Sequence, residues 1–287
     1  MRKAVTEAHA HIALDGIDFK AAAALHSGGV DRRTVDGRLK LYRDYGITYI
    51  RDGGDNLGVS RYARQKAAEY GIDYRTPVFA LYKKGGYGSV AGRSFSDMNE
   101  FRVLVKEALS SGADFIKIMG SGIMDFRSFG TVSESGLSAS EIKEIINIIH
   151  NEGKSAMVHA NTSQIVETFL AFGADSIEHG YYISKETVLL FAETKALWVP
   201  TLAPVMNLFG HGSDDSVLKR IAEQHYSNLA FAAGAGVNLA LGSDAGAVRV
   251  PHCEGLIDEY KYFCSAVGQS NADRLLDDGE KILKERF

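Results

Sequence analysis

Tyr45-Gly46-Ile47-Thr48 joins a stretch with helical periodicity to an apolar stretch typical of a strand. A glycine at such a junction can adopt the left-handed conformation that ends many helices, so the next strand can begin within two residues. The pattern recurs as Tyr70-Gly71-Ile72, Ser111-Gly112-Ala113 and Phe172-Gly173-Ala174. This repetition predicts alternating helices and strands, the arrangement that produces a parallel sheet.

Eight strand-like segments follow from the apolar pattern: Val5–Ile12, Thr48–Asp52, Thr76–Leu81, Phe115–Met119, Ser155–His159, Ser176–His179, Leu197–Thr201 and Asn238–Gly242. Helical patterns lie between most of them, at Arg33–Tyr45, Arg61–Tyr70, Met98–Ser111, Ala139–Glu152, Gln164–Phe172 and Asp214–Ala233, and a charged terminal helix is expected over Asn271–Phe287. Eight such units predict an α/β fold, a (β/α)8 TIM barrel with a C-terminal helix, and residues 1–287 are expected to form a single domain. A doubly wound open sheet is the alternative, but no G-x-G-x-x-G phosphate loop follows the first strand.

The composition is ordinary for a globular protein, with 45% hydrophobic and 24% charged residues. A formal net charge of -4 predicts neither a nucleic-acid nor a membrane partner. No apolar run has the length of about 20 residues that a membrane span requires, and the first residues contain no signal-peptide core. Two cysteines are too few for a disulfide framework. We therefore expect a cytoplasmic protein that acts on a small-molecule substrate.

Groups that can bind metal or exchange protons stand near the ends of five predicted strands: His9, His11, Lys117, His159, His179 and Asp244. Alternate side chains of a strand face the same side, so His9 and His11 are expected to point together. The same alternation places Lys117 on the inner face of its strand. Glu178 precedes His179 and is therefore expected to face the helices or a loop.

Imidazole and carboxylate groups are the ligands that zinc and similar divalent ions prefer. Six groups are too many for one tetrahedral ion with an open position, but they suit two ions that share a bridging ligand. Lys117 is a poor ligand while it is an ammonium. Addition of CO2 to its nitrogen would produce an anionic carbamate that can bridge two ions, and would remove a buried charge. The alternatives for Lys117 are a side chain that reaches the mouth of the barrel and a Schiff-base nucleophile.

Five motifs resemble those of the amidohydrolase superfamily, within it the branch similar to imidazolonepropionases and Xaa-Pro dipeptidases. They are Ala8-His9-Ala10-His11, Phe115-Ile116-Lys117-Ile118-Met119-Gly120-Ser121-Gly122, Val158-His159-Ala160, Ser176-Ile177-Glu178-His179-Gly180 and Gly242-Ser243-Asp244-Ala245-Gly246. The motifs occur in the order of the family and at similar spacing, and they span most of the chain.

The resemblance implies a binuclear metal centre. His9, His11 and Asp244 would hold the first ion. His159 and His179 would hold the second, and carboxylated Lys117 would bridge the two. Asp244 would also be the catalytic residue, taking a proton from the bridging water and later giving it to the leaving group. The implied activity is metal-dependent hydrolysis of an amide, cyclic amide or other C–N bond in a small polar substrate, with zinc as the expected metal.

The sequence departs from the family pattern in two ways. Family members usually carry a small β-sandwich on both sides of the barrel in sequence, whereas here the first histidine pair begins at His9, so the sandwich is expected to be missing. Barrel surface left exposed by its absence could be covered by a second subunit, as in a homo-oligomer. The related dipeptidases usually have a second histidine where this chain has Asn161, which leaves the substrate class open.

Loops after the strands supply the candidates for substrate binding: Tyr82, Ser121, Asn161, Tyr182, His211 and Arg249. Of these, Arg249 could bind a substrate carboxylate. A lactonase or phosphotriesterase with the same ligand set is the main alternative function. A mononuclear deaminase would leave Lys117 without a role, and a metal-binding or sensory barrel without activity is the non-enzymatic alternative.

Overall fold

The computed structural model describes residues 5–212 and 214–287. Strands and helices alternate along most of this length, as the glycine pattern predicts. The strands are β1 (Thr6–Ala10), β2 (Tyr49–Asp52), β3 (Asp73–Arg75), β4 (Ala80–Lys83), β5 (Gly92–Phe95), β6 (Ile116–Met119), β7 (Ala156–Thr162), β8 (Ser176–Tyr182), β9 (Leu197–Val199) and β10 (Asn238–Leu239). The helices are α1 (Phe19–Leu25), α2 (Arg32–Tyr45), α3 (Val59–Lys66), α4 (Met98–Ser110), α5 (Ala139–Asn151), α6 (Ser163–Ala171), α7 (Lys185–Thr194), α8 (Ala203–Met206), α9 (Asp215–Ala235), α10 (Glu254–Val267) and α11 (Gln269–Arg286).

The strands form two parallel sheets. One has the order β1-β2-β3 and the other the order β10-β9-β8-β7-β6-β4-β5. Backbone hydrogen bonds link the sheets on both sides of the smaller one. On one side, the Ala8 N–H donates to the Leu241 carbonyl at 2.9 Å, and the Asp244 N–H donates to the His9 carbonyl at 2.8 Å. On the other side, the Asp114 N–H donates to the Thr76 carbonyl at 2.9 Å.

The predicted third strand, Thr76–Leu81, has the wrong bounds. The chain forms β3 before this segment and β4 at its end, separated by a break at Pro77 and Val78, where Val78 has a φ of 67°. Proline has no N–H to donate to a ladder, which favours a break there. β3 pairs with β2 and β4 pairs with β6, so one stretch of chain serves both sheets. The segment between β4 and α4 contains β5, which pairs with β4.

The helix predictions are confirmed at α2, α4, α5, α6 and α9, and the expected terminal helix is α11. Helices α1, α7, α8 and α10 are not predicted by the sequence pattern. The fifth and sixth predicted strands end at His159 and His179, whereas β7 and β8 continue for three more residues. No helix in the described ranges combines the length and apolarity needed to cross a membrane.

Local capping explains where the helices begin and end. The Asp31 carboxylate accepts a hydrogen bond from the Thr34 N–H at 2.8 Å at the start of α2, and Gly46 ends that helix with a φ of 79°. Ser138 and Glu141 form a reciprocal capping box at the start of α5. The other glycines of the predicted junctions, Gly71, Gly112 and Gly173, also have positive φ, and so do Gly153 after α5 and Gly236 after α9.

Apolar residues pack on both sides of the strands. Ile116 and Ile118 of β6 lie in the large core between sheets and helices. Phe115 lies in a smaller core on the inner side, together with Phe287 at the end of α11. The two phenyl rings meet edge to face with centroids 5.3 Å apart. The Ser155 hydroxyl just before β7 donates to the Arg286 carbonyl, so α11 covers the amino ends of the strands.

Candidate metal centre

The six predicted ligands converge on the inner side of the strands, near their carboxyl ends. His9, His179 and Asp244 each offer a ligand atom within 4.8 Å of the other two. His11 Nε2 lies 3.4 Å from Asp244 Oδ1, and the rings of His159 and His179 have centroids 4.6 Å apart. All six line one cavity of about 530 Å³: His9, His11, Lys117, His159, His179 and Asp244. The structure thus brings the six groups together, and their binding of metal stays a prediction.

Unusual backbone conformations orient two of the predicted ligands and a residue that contacts one of them. His179, Thr201 and Asp244 have φ values of 70°, 49° and 60°, in a region that residues other than glycine rarely adopt. Such residues persist where the surrounding contacts hold them, and they are concentrated at functional sites. Here the contacts are a 2.7 Å hydrogen bond between His179 Nδ1 and the Thr201 hydroxyl, and the hydrogen bond from the Asp244 N–H to the His9 carbonyl.

Hydrogen bonds occupy one ring nitrogen on each of three histidines. His9 Nδ1 lies 2.9 Å from Glu178 Oε2, and His179 Nδ1 bonds to the Thr201 hydroxyl. The hydrogen bonds of His159 use Nε2, which is 3.4 Å from the Gly122 carbonyl. The second ring nitrogen of each is therefore left for a ligand. Metal-binding histidines typically have this division of roles, because the outer hydrogen bond fixes the tautomer and the ring orientation.

The expectation that Glu178 faces the helices or a loop is wrong. Glu178 is fully buried on the inner side, where its carboxylate accepts hydrogen bonds from Arg51 Nη2 at 2.8 and 3.0 Å and from the Ser176 hydroxyl at 2.6 Å. In β8, Ile177 packs among the helices, so regular alternation puts Glu178 inside. The left-handed backbone of His179 then interrupts the alternation, and both consecutive side chains reach the inner side.

Lys117 is buried at the floor of the cavity. Its side chain is 1% exposed, and its Nζ has no hydrogen-bond partner among the described residues. Burial lowers the pKa of this ammonium to about 8, although the charges of Glu178 and Asp244 oppose the shift. A buried polar group without a partner is uncommon in folded proteins and usually has a specific explanation.

The remaining groups of the centre also have shifted pKa values, and burial is the largest cause for each. Burial and the charge of Lys117 lower the pKa of His11 and of His159 to about 3. The pKa values of His9 and His179 are also well below 6.5. Burial raises the pKa of Asp244 to about 7. The imidazoles are therefore neutral near neutral pH, which is the protonation state that binds a metal ion.

Two glycines allow the close approach of backbone to His9 and His11. A Cβ atom at Gly53 would lie 2.3 Å from His11 Cε1, and one at Gly242 would lie 2.8 Å from the His9 nitrogen. Both distances are far shorter than van der Waals contact, so any larger residue would displace a predicted ligand. Glycine is therefore the residue that fits after β2 and β10 without displacing these two histidines.

Of the residues predicted to bind substrate, Asn161 lines the cavity. It is fully buried, its Nδ2 donates to the Gly122 carbonyl at 3.1 Å, and its Oδ1 has no partner. Ser121 lies beneath it and accepts a hydrogen bond from the Asn161 N–H at 3.0 Å. Ser121 itself is not among the residues that line the cavity, so it supports Asn161 instead of facing the opening.

The other four candidates do not line this cavity. Tyr82 lies behind Gly88, and Tyr182 packs edge to face on Phe129 with ring centroids 5.5 Å apart. His211 and Arg249 are exposed and line a neighbouring cavity on the surface. Contact of these four residues with substrate stays a prediction.

Two tyrosines that line the cavity, Tyr87 and Tyr181, are not among the predicted site residues. Tyr181 stacks on His179 with centroids 5.6 Å apart, and its hydroxyl donates to the Thr201 carbonyl at 2.7 Å. Strand alternation could have found it, since it lies two residues after His179. Tyr87 lies 5.3 Å from the ring of His159, on a loop where no periodicity gives a signal.

A model of the amidohydrolase family matches residues 43–274 of the chain. The chain belongs to this family. The superfamily predicted from the five motifs is therefore confirmed. The matched residues include four of the six predicted ligands: Lys117, His159, His179 and Asp244.

Curated relatives of this amidohydrolase are longer than it is. Ochratoxinase of Aspergillus niger is 26% identical over 258 residues, which cover 79% of this chain and 53% of the relative. An uncharacterized protein of Mycobacterium tuberculosis is 22% identical over 256 residues, which cover 84% of this chain and 63% of the relative. This amidohydrolase thus spans between 53% and 63% of the length of these two relatives.

Solved structures with the same fold include several hydrolases. A prolidase in complex with N-methylphosphonate-L-proline has a TM-score of 0.76 at 20% identity, over 99% of this chain and 75% of the other. Ochratoxinase of A. niger has a TM-score of 0.75 at 19% identity, over 94% and 68%. An amidohydrolase has a TM-score of 0.78 at 23% identity, over 98% and 74%. At these identities the likeness concerns the fold.

Proposed function

We propose that this protein is a metal-dependent hydrolase that cleaves amides, cyclic amides or other C–N bonds of small molecules. The observation that carries the proposal is the convergence of His9, His179 and Asp244, whose ligand atoms lie within 4.8 Å of one another. Membership of the amidohydrolase family supports hydrolysis as the reaction.

The catalytic scaffold in this proposal is a closed (β/α)8 barrel. Two observations support closure: the hydrogen bonds of Ala8 and Asp244 join β1 to the segment after β10, and Thr76 joins the segment after β3 to the segment before β6. In a closed barrel of parallel strands the carboxyl ends form one rim, and barrel enzymes have their active sites at that rim. The six predicted ligands lie there.

The donor set fits two divalent ions. His9, His11 and Asp244 would hold one ion, and His159 and His179 would hold the other. The buried Nζ of Lys117 has no partner, which fits a carbamate formed with CO2. This group would bridge both ions and would remove an isolated charge from the interior. Zinc is the proposed metal, since imidazole and carboxylate ligands suit it.

Bound divalent ions would supply a water of lowered pKa and would polarise the scissile carbonyl. Asp244 would accept a proton from the attacking water and return it to the leaving nitrogen. Its Oδ1 lies 3.5 Å from His9 Nε2 and 3.4 Å from His11 Nε2, beside the nitrogens that would hold the same ion. Glu178 would hold the His9 ring with Nε2 towards Asp244.

The proposal is tested by metal analysis together with a substrate panel. Protein incubated with Zn²⁺ or Mn²⁺ and bicarbonate should retain two equivalents of metal after gel filtration. Amides should be hydrolysed by the wild type and by the surface variant Glu144→Gln, but not by Asp244→Asn, which should keep its circular dichroism spectrum. Failure to retain metal, or turnover by metal-free Asp244→Asn, would overturn the proposal. Turnover of lactones or phosphotriesters without amides would replace the C–N assignment.

A further inference from the structure

The walls of the cavity above the predicted metal ligands are mostly apolar. They are formed by five separate stretches of chain: the segment after β1, the loop between β4 and β5, the segment after β6, the segment that begins in α8, and the segment after β10. Their main apolar side chains are Leu14, Phe19, Ile123, Met124, Phe126 and Leu208. Residues far apart in the sequence therefore converge to build an apolar chamber of about 530 Å³ over a polar floor.

Exposed apolar side chains surround the mouth of this chamber. Phe19, Val90 and Val248 are 36%, 46% and 39% exposed, and each comes from a different segment. Single exposed apolar residues are normal on protein surfaces, whereas a group of them at one opening marks a binding site. A bound molecule with an apolar group would cover these three side chains.

Charged side chains are missing from the chamber walls. Among the described residues that line the chamber, the charged types Asp, Glu, Lys and Arg are represented by Lys117 and Asp244, and both lie on the floor. Arg249, the predicted partner of a substrate carboxylate, is exposed and lines a neighbouring cavity with Asp258. An anion placed against the walls would lose hydration without gaining a cationic partner, which is costly. The polar side chains of the walls are the amide of Asn161 and the hydroxyls of Tyr87, Ser89 and Tyr181, and all are uncharged. Of these, Asn161 has a buried Oδ1 without a partner.

We infer that the site binds C–N substrates that carry a bulky apolar group, aromatic or branched aliphatic, and selects neutral molecules over those with a carboxylate on that group. This inference rests on the proposed metal-dependent function and gives it a substrate class. It differs from the small polar substrate expected from the sequence, because the loops that form the walls carry apolar side chains. It also assigns Arg249 no part in recognising substrate.

The test uses hydroxamates, which bind metal ions without being turned over. Titration calorimetry on zinc-loaded protein would compare acetohydroxamate, phenylacetohydroxamate and 4-carboxyphenylacetohydroxamate. Burial of one phenyl group should strengthen binding by about 10-fold or more over acetohydroxamate. The added carboxylate should remove most of this gain, because it enters the apolar chamber without a cation to meet it.

Matched variants test whether the apolar side chains at the chamber mouth cause the preference for the phenyl group. The double variant Val90→Ser/Val248→Ser should reduce the phenyl preference to about 3-fold or less, and folding should tolerate it because both side chains are partly exposed. Val103→Ser is the control, because Val103 is 64% exposed on α4 and does not line the chamber. Arg249→Gln should leave the affinity for the carboxylated hydroxamate unchanged.

The possible failures are distinguishable. Equal binding of acetohydroxamate and phenylacetohydroxamate would overturn the inference while leaving the metal centre in place. Tight binding of the carboxylated compound that is weakened by Arg249→Gln would overturn it as well, and would establish Arg249 as a carboxylate partner. Retention of no zinc and binding of no hydroxamate would overturn the proposed function itself.

Discussion

The buried ion pair between Arg51 and Glu178 gives the sharpest test of how the proposed metal centre is supported. Both side chains are fully buried, with Arg51 Nη2 2.8 Å from Glu178 Oε1. The same carboxylate holds His9 Nδ1 at 2.9 Å. Glu178→Gln keeps the shape of the side chain but removes its charge. We expect this change to lower both the stability of the fold and the affinity for metal.

The size of the stability effect follows from the burial. Removing one partner of a buried ion pair leaves the other charge uncompensated and costs about 3–5 kcal/mol of unfolding free energy. This is a large part of the total of about 5–15 kcal/mol that is typical of native proteins. At roughly 2–4 °C per kcal/mol, the melting temperature should fall on the order of 10 °C. Arg51 keeps its hydrogen bonds to the Ala8 carbonyl and the Ser176 hydroxyl, which favours the lower end of this range.

A double variant separates charge compensation from ring orientation. Arg51→Met/Glu178→Gln removes both charges, so calorimetry should show at least half of the lost melting temperature restored. Zinc affinity, measured by competition with a chromogenic chelator, should fall about 10- to 100-fold in both the single and the double variant, because His9 has lost its carboxylate partner in each. Glu144→Gln is the control, since its 2.9 Å ion pair with Arg102 is exposed and should contribute little.

Two results would refute this reasoning. A double variant as unstable as Glu178→Gln alone would show that the uncompensated charge of Arg51 is not the source of the loss. Wild-type zinc affinity in Glu178→Gln would show that the carboxylate does not orient His9.

Three further predictions follow from the same contacts. Gly53→Ala places a methyl group against His11 and should weaken zinc binding at least about 10-fold, while Gly37→Ala, in open space on α2, should raise stability by about 0.5–1 kcal/mol in chemical denaturation. Burial raises the pKa of Glu259 to about 8, so its contribution to stability is present below pH 4.5 and is lost as the pH rises through 8. Glu259→Gln should therefore flatten the loss of melting temperature between pH 5 and 8. An unchanged slope would contradict this. Lys117→Met removes a buried ammonium without a partner, so it should raise the melting temperature of the metal-free protein. It should also abolish binding of the second equivalent of zinc. An unaltered zinc stoichiometry would exclude Lys117 as a bridge.

Local patterns were sufficient for most of the elements. The glycine that ends α2 and the capping residues at its start are signals that lie within a few residues of each other, so they can be read without knowledge of the fold. The prediction for the third strand is wrong because the break in it depends on two different partner strands: β3 pairs with β2, and β4 pairs with β6. No periodicity within Thr76–Leu81 records that change of partner.

In the candidate site, too, the residues set by local patterns are predictable and those set by tertiary contacts are not. His9, His11 and Lys117 were found by strand alternation, which is a local property. Glu178 was misassigned because its neighbour His179 has a left-handed backbone, a conformation that tertiary contacts impose. Arg51 was overlooked because its carboxylate partner is 127 positions away in the chain.

The sequence by itself determined the alternation of helices and parallel strands and the identity of the groups able to bind metal, since both depend on residue type and short-range spacing. The tertiary structure decided which groups support that centre and what surrounds it. The ion pair beneath His9 and the apolar chamber above it join segments that are distant along the chain. Their energies depend on burial and on mutual distance, and both exist only once the strands and loops have been brought together.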